Sequence, residues 1–136
     1  MKADRTLSVT PIPGIPDIQK GDDLSELIIK NARSHNINLE NNDILVIAQK
    51  IVSKSEGRMV DLRTVRPSIK AKHIANLTQK NPNLIQLILD ESKSVLRVRK
   101  GLIIVRHKLG FVCANAGIDH SNTIPGEESS HFVLLL

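Results

Sequence analysis

The stretch SVLRVRKGLIIVRHKLGFVCANAG, Ser94–Gly117, decides the fold. Its apolar runs, SVLRVRK, LIIVRHKLG and FVCANAG, are of strand length and rich in Val and Ile, so each reads as a β-strand. The last two predict a hairpin turning through HKLG, with Gly110 at the position that requires a positive φ. Immediately upstream, NPNLIQLILDES has Asn81 as an N-cap, Pro82 at the first helical position and a strong apolar face, which predicts a helix. RPSIKAKHIANLTQK, which starts beyond Pro67 with Ser68 as its cap, predicts another. A helix opens at GDDLSELIIKNARSHNI, where Asp23 and Glu26 have capping-box spacing and Leu24, Leu27, Ile28 and Asn31 lie on one stripe. Between these helices, DILVIAQ (Asp43–Gln49) is a continuous apolar run that predicts a strand buried on both faces. KIVSKSEGR (Lys50–Arg58) is polar and takes no assignment. Near the start, LSVTPIPGIPDI (Leu7–Ile18) reads as a short strand and then a stiff loop punctuated by Pro11, Pro13 and Pro16. The expected class is α+β, a mixed α/β arrangement with a mixed sheet and about three helices. No internal repeat or low-complexity segment interrupts residues 1–136, which read as a single domain.

The chain of 136 residues has 40% hydrophobic and 24% charged residues but two Phe and no Trp or Tyr. Its core must come from Ile, Leu and Val. The net charge of +5 favours anionic partners. A nucleotide or phosphorylated metabolite satisfies that charge as well as DNA does, and a solvated basic surface is the plain alternative. The lack of aromatic platforms argues against single-stranded nucleic acid, and no basic run exceeds RVRK, Arg97–Lys100. The single cysteine, Cys113, excludes an internal disulfide and fits a reducing compartment. It lies within an apolar strand, as a structural thiol does. MKADRTLSVT has no apolar h-region, and no run reaches the ~18 apolar residues of a membrane helix. A soluble cytoplasmic protein is expected. HFVLLL at the C-terminus is an apolar strand preceded by a turn, IPGEESS. Because an unpaired apolar terminus invites aggregation, the sequence is expected to be the N-terminal portion of a longer domain.

Several standard sites are missing from the sequence. There is no P-loop and no Gly-rich dinucleotide fingerprint after a strand. The five histidines, His35, His73, His107, His120 and His131, are not at zinc-ligand spacing. Three polar segments remain. The PGIPDI loop (Pro13–Ile18) can present backbone groups to a flat ligand such as a purine, or simply connect a strand to a helix. In QKIVSKSEGR, Gln49 can read a ligand edge, and Lys54, among Ser53, Ser55 and Gly57, can meet a phosphate as a point charge; the alternative is a solvated lysine in a turn. In NAGIDHSN, Asp119 is a hard-oxygen ligand suited to Mg²⁺ or Mn²⁺, with Asn115 and Asn122 placed to bond phosphates or metal waters. The alternative there is an Asx turn.

Taken together, PIPGIPDIQKGDDLSELI (Pro11–Ile28), DILVIAQKIVSKSEGRMVDL (Asp43–Leu62) and GFVCANAGIDHSN (Gly110–Asn122) resemble the N-terminal half of the coenzyme F420-0:L-glutamate ligases. The resemblance implies γ-linked amide formation between L-glutamate and a deazaflavin phosphodiester precursor, with GTP as co-substrate, Mg²⁺ or Mn²⁺, and K⁺ as a further cation. GTP would phosphorylate the precursor's terminal carboxylate, and the glutamate amine would attack the acyl phosphate. It also implies that Ile15, Pro16, Asp17, Ile18, Gln49, Lys54 and Asn122 contact the nucleotide, that Asp119 ligates the metal, and that the complete protein is a homodimer. Two features depart from the family. His120 stands where a small residue, usually alanine, is expected. Family members are about twice as long, and the absent half carries a further metal-binding acidic residue. The readings are therefore the ligase, or its N-terminal portion, and a non-catalytic nucleotide-binding module derived from it. A basic nucleic-acid-binding domain would rest on net charge alone.

Overall fold

The computed structural model describes residues 6–120 and 131–136. Strands β2 (Ser92–Arg99), β3 (Leu102–His107) and β4 (Val112–Ala114) form an antiparallel meander in chain order. The β3–β4 hairpin pairs Val105 with Cys113, and Gly110 takes φ +101° in its turn. The N–H of His107 closes that turn on the Phe111 carbonyl at 2.8 Å. Along β3, Ile103, Val105 and His107 are buried in alternation, as a strand with one covered face requires.

Two helices supply the cover. In α3 (Ile69–Thr78) the Ser68 hydroxyl accepts from the Ala71 N–H, and in α4 (Pro82–Asp90) the Asn81 side chain accepts from the Asn83 N–H. Each side chain satisfies one of the N–H groups a helix start leaves without a partner. Ala71, Ile74, Ala75, Ile85 and Ile88 from the helices meet Ile103 and Val105 of β3, and Ala116 just beyond β4, in one aliphatic cluster. The alanines of α3 allow close approach and the isoleucines of α4 fill the space. This is the aromatic-free core that the composition demanded.

A second unit flanks the first. β1 (Met59–Asp61) pairs antiparallel with β5 (Phe132–Leu134), matching Val60 to Val133. Leu62, Leu87, Val133 and Leu135 close a smaller cluster beneath it. HFVLLL therefore has a partner strand, supplied by MVD, a segment too short to stand out in the sequence. Beside β5, Asp61 accepts three bonds from the Arg63 guanidinium, through Nε and Nη2, and one from the Arg63 backbone N–H at 2.9 Å. These bonds hold the Asp61 carboxyl below its usual range. The charged form is therefore favoured in the folded state, and its contribution is present at neutral pH and lost as pH falls through the carboxylate range. Arg63→Ala, which removes the guanidinium but keeps the backbone bond, is expected to raise the Asp61 pKa toward the ordinary carboxylate range in a ¹³C NMR titration.

The first helix, α1 (Leu24–Ser34), begins where predicted, with the Asp23 carboxylate accepting from the N–H groups of Ser25 and Glu26. The polar segment left unassigned forms a fourth helix, α2 (Gln49–Ser55). The α+β class holds, and every described strand pair is antiparallel.

Two expectations are corrected. Asp43–Ala48 is neither a strand nor buried, and it joins neither sheet. Leu7–Thr10 is likewise irregular and exposed. A strand exists only when neighbours satisfy its backbone, and the described residues offer these segments none. The expected IPGEESS turn lies outside the described residues.

Candidate functional site

Hydrogen bonds tie α2 to the segment before Asp119 and to the chain just past the proline loop. Its first residue, Gln49, donates from Nε2 to the carbonyl of Gly117 at 2.9 Å, across 68 positions of sequence. Gln49 thus sits at a helix start, not at the end of a strand, and its amide N–H is committed to the protein. Its carboxamide oxygen remains the group suited to a ligand. Ser53, one turn on, is buried and donates to the Leu135 carbonyl at 2.5 Å, fixing α2 against the β5 segment. At the helix's far end the Ser55 carbonyl accepts from the Gly21 N–H at 2.8 Å. That bond ties the chain just past the proline loop to the short helix that carries the half-buried Lys54.

Within the loop, Ile18 is buried and anchors the segment, Ile15 is half-buried, and Pro16 and Asp17 are exposed. An anchored residue beside two exposed ones presents backbone outward at a fixed place. Asp22 steadies the loop's exit by accepting from the Gln19 N–H at 2.7 Å.

Asp119 follows two residues after Gly117, the partner of Gln49. Its backbone exchanges two hydrogen bonds with Leu134, at 2.9 and 2.8 Å. Just before it, Asn115, Ala116 and Gly117 have φ of +51°, +55° and +68°. A left-handed alanine costs roughly 1 kcal/mol, and three such residues in a row form a tight turn. It is held because Ala116 is fully buried and a Cβ on Gly117 would fall 2.5 Å from Leu136 Cδ1. Among the described residues, the buried Oδ1 of Asn115 has no hydrogen-bond partner. His120 is exposed. Asn122 lies outside the described residues.

The fit to a divalent cation is partial. Asp119 is a suitable hard-oxygen donor, but the described residues contain no group of three acidic, His or Cys side chains able to hold a metal. A cation there would need substrate phosphates or ligands from elsewhere. Cys113 is half-buried with its thiol pKa raised by desolvation, which suits a structural role and not a nucleophile.

One cluster was not foreseen. A cavity of about 670 Å³ lies beside α2, lined by Gln49, Ser53, Arg58, Glu91, His107 and Lys108 among others. Glu91 accepts from Arg58 Nη2 at 2.6 Å and has His107 Nε2 at 3.7 Å and Lys108 Nζ at 3.9 Å. His107 Nδ1 accepts from the Leu109 N–H, so in the neutral ring Nε2 carries the proton. That Nε2 and the Nε of Arg58 are both buried without a hydrogen-bond partner among the described residues. Two unsatisfied N–H groups and two cations around one carboxylate suit an entering anion. No local pattern marks this grouping, because Arg58 and Glu91 are 33 positions apart.

With this geometry in hand, comparison with known proteins is specific. The sequence model of the family described as F420-0:gamma-glutamyl ligase matches residues 14–136. The chain is similar to proteins named coenzyme F420:L-glutamate ligase. One from Methanopyrus kandleri is 43% identical over 121 residues, 89% of this chain and 46% of that protein. One from Methanothermobacter thermautotrophicus is 42% identical, covering 88% and 48%. One from Haloarcula marismortui is 36% identical, covering 90% and 47%. The chain thus spans about half the length of the curated relatives it matches.

Proposed function

Since this chain belongs to the F420-0:gamma-glutamyl ligase family, we propose that it is the nucleotide-binding portion of a GTP-dependent ligase acting on L-glutamate and F420-0. The observation that carries the reading is the set of bonds by which α2, with Gln49 and Lys54, is tied to Gly21 just past the loop, to Gly117 just before Asp119, and to Leu135. The enzyme is cytoplasmic in this reading, and homodimeric when complete.

The chemistry has two displacements. A terminal carboxylate oxygen of the precursor bonds to the γ-phosphorus of GTP as the bond to the β-phosphate oxygen breaks, releasing GDP. The glutamate amine then attacks the acyl carbon, phosphate departs with the C–O electron pair, and the nitrogen loses its proton to give the amide. In this scheme Ile15, Pro16, Asp17 and Ile18 offer backbone groups to the guanine, and the Gln49 oxygen and Asn122 orient the nucleotide. Lys54 sets a positive charge against the phosphates. Asp119 would hold Mg²⁺ or Mn²⁺ jointly with those phosphates; the ion, when bound, neutralises charge on the transferring group.

A second reading is favoured by one specific observation. The described residues hold no group of three potential metal ligands, which fits a non-catalytic module that binds GTP without transferring phosphate. Calorimetry of this chain with GTP and Mg²⁺, followed by a γ-glutamyl transfer assay with Mn²⁺, separates the two. GTP binding with transfer supports the ligase, binding without transfer supports the module, and no binding defeats both. Lys54→Ala should weaken GTP binding about tenfold, the loss of roughly 1.4 kcal/mol of charge-assisted contact.

A further inference from the structure

The cluster of Arg58, Glu91 and His107 takes no part in the scheme above, and its bonding is incomplete along one edge. Glu91 accepts from Arg58 Nη2 at 2.6 Å but takes nothing from Nε, the other donor on that side of the guanidinium. A carboxylate that fills this edge does so with two parallel bonds, as Asp61 does on Arg63. Glu91 fills half of it. Its other neighbour, His107 Nε2, stands at 3.7 Å, too far for a hydrogen bond. His107 is 1% exposed and its ring is fixed, since Nδ1 accepts from the Leu109 N–H and Phe111 stacks on it with centroids 4.8 Å apart. Among the described residues, Arg58 Nε and His107 Nε2 therefore lack an acceptor at a place closed to bulk solvent. One further oxyanion would satisfy both. It takes the Nε–Nη2 edge of Arg58, and Glu91, released, moves roughly 1 Å to bond His107 Nε2.

The charges around the cavity select the ligand. Arg58 and Lys108 line it together with Glu56 and Glu91, so cations and carboxylates are balanced. A triphosphate would meet both carboxylates and be repelled by them. An amino acid with an acidic side chain carries carboxylates and an ammonium, and so finds a partner for each sign. Val52 and Leu109 give its methylenes an apolar wall, and a cavity of about 670 Å³ holds so small a molecule with room to spare. Resting on the ligase reading, we infer that this cavity is the subsite of the amino-acid co-substrate, L-glutamate. One of its carboxylates takes the Nε–Nη2 edge of Arg58 with Lys108 beside it, and its ammonium lies against the carboxylates of Glu56 and Glu91. Gln49 lines the same cavity, so the subsite opens beside the residue whose carboxamide oxygen is assigned to the nucleotide.

The test is to titrate the 136-residue chain with L-glutamate, without nucleotide or metal, while following Arg58 Nε–H and the His107 ring by ¹H–¹⁵N NMR. The expected result is a saturable shift at both groups. Arg58→Lys, which keeps the charge but loses the fork, should weaken binding at least about tenfold. Lys108→Gln alters an exposed side chain that belongs to neither core cluster. It should weaken binding about threefold, and it carries the test should Arg58→Lys fail to fold by circular dichroism. Glutarate, a dicarboxylate without the ammonium, should bind at least about tenfold more weakly than L-glutamate. No saturable binding, saturation that leaves both groups unshifted, or parental affinity in folded Arg58→Lys or in Lys108→Gln would each overturn the inference. So would glutarate or inorganic phosphate binding as tightly as L-glutamate. No nucleotide is present in these titrations, so their failure is distinct from failure of the GTP reading, which calorimetry with GTP decides.

Discussion

Asp119→Asn is expected to lower glutamate ligation by about a hundredfold or more, the scale of loss when a group stabilising transition-state charge is removed. The assay compares the parent and variant proteins with Mn²⁺ in excess. The substitution is close to isosteric, and the backbone of residue 119 is held at both its N–H and its C=O by Leu134. The Asp119 segment should therefore stay in place, and the change should fall on the carboxylate charge. A charge effect on a cation has a signature: the Mn²⁺ concentration needed for half-maximal activity rises in the variant, while circular dichroism and melting stay as in the parent. If ligation persists at the parental rate, Asp119 is no metal ligand. If activity is lost together with the fold, the carboxylate is structural, as in the Asx-turn alternative.

Much of the fold was legible because its signals are local. Asp23, Ser68 and Asn81 cap their helices with side-chain bonds that span two or three residues, and Gly110 marks its hairpin. What failed was tertiary in origin. Helix α2 has no side-chain cap, since Ala48 precedes it, and it is held instead by bonds from Ser53 to Leu135 and from Gln49 to Gly117. Nothing within KIVSKSEGR announces those partners. The run DILVIAQ failed in the opposite sense: its composition is that of a buried strand, but burial needs neighbours that these described residues lack. The candidate site divides the same way. Gln49, Lys54 and Asp119 stand in recognisable blocks. Arg58, Glu91 and His107 meet only because β1, the end of α4 and β3 fold to one place, and each alone is an ordinary surface or strand residue.

The core carries the other large effect. Ile85→Ala is expected to cost about 3–4 kcal/mol, within the range for removing three buried carbons. Ile85 is fully buried on α4, in a cluster with Ile74, Ile88, Ile103 and Val105. Those neighbours are β-branched, with few alternative rotamers, and no aromatic ring is present to tilt into the space. The cavity should therefore stay open, which places the cost in the upper part of the range. The loss is large against the 5–15 kcal/mol that stabilises a typical domain, taken here as a rough guide. Urea titration should show the midpoint falling sharply with little change in slope, and Ile85→Val should lose only about 0.5–1.5 kcal/mol. A second consequence is functional. Ala116, which belongs to the same cluster, is the central residue of the left-handed turn that carries the Gly117 carbonyl to Gln49. Loosening the cluster removes what holds a strained turn, so Ile85→Ala should weaken GTP binding even at temperatures where the protein remains folded. A loss of stability below about 1 kcal/mol would mean that α4 packs less tightly on β3 than its burial indicates.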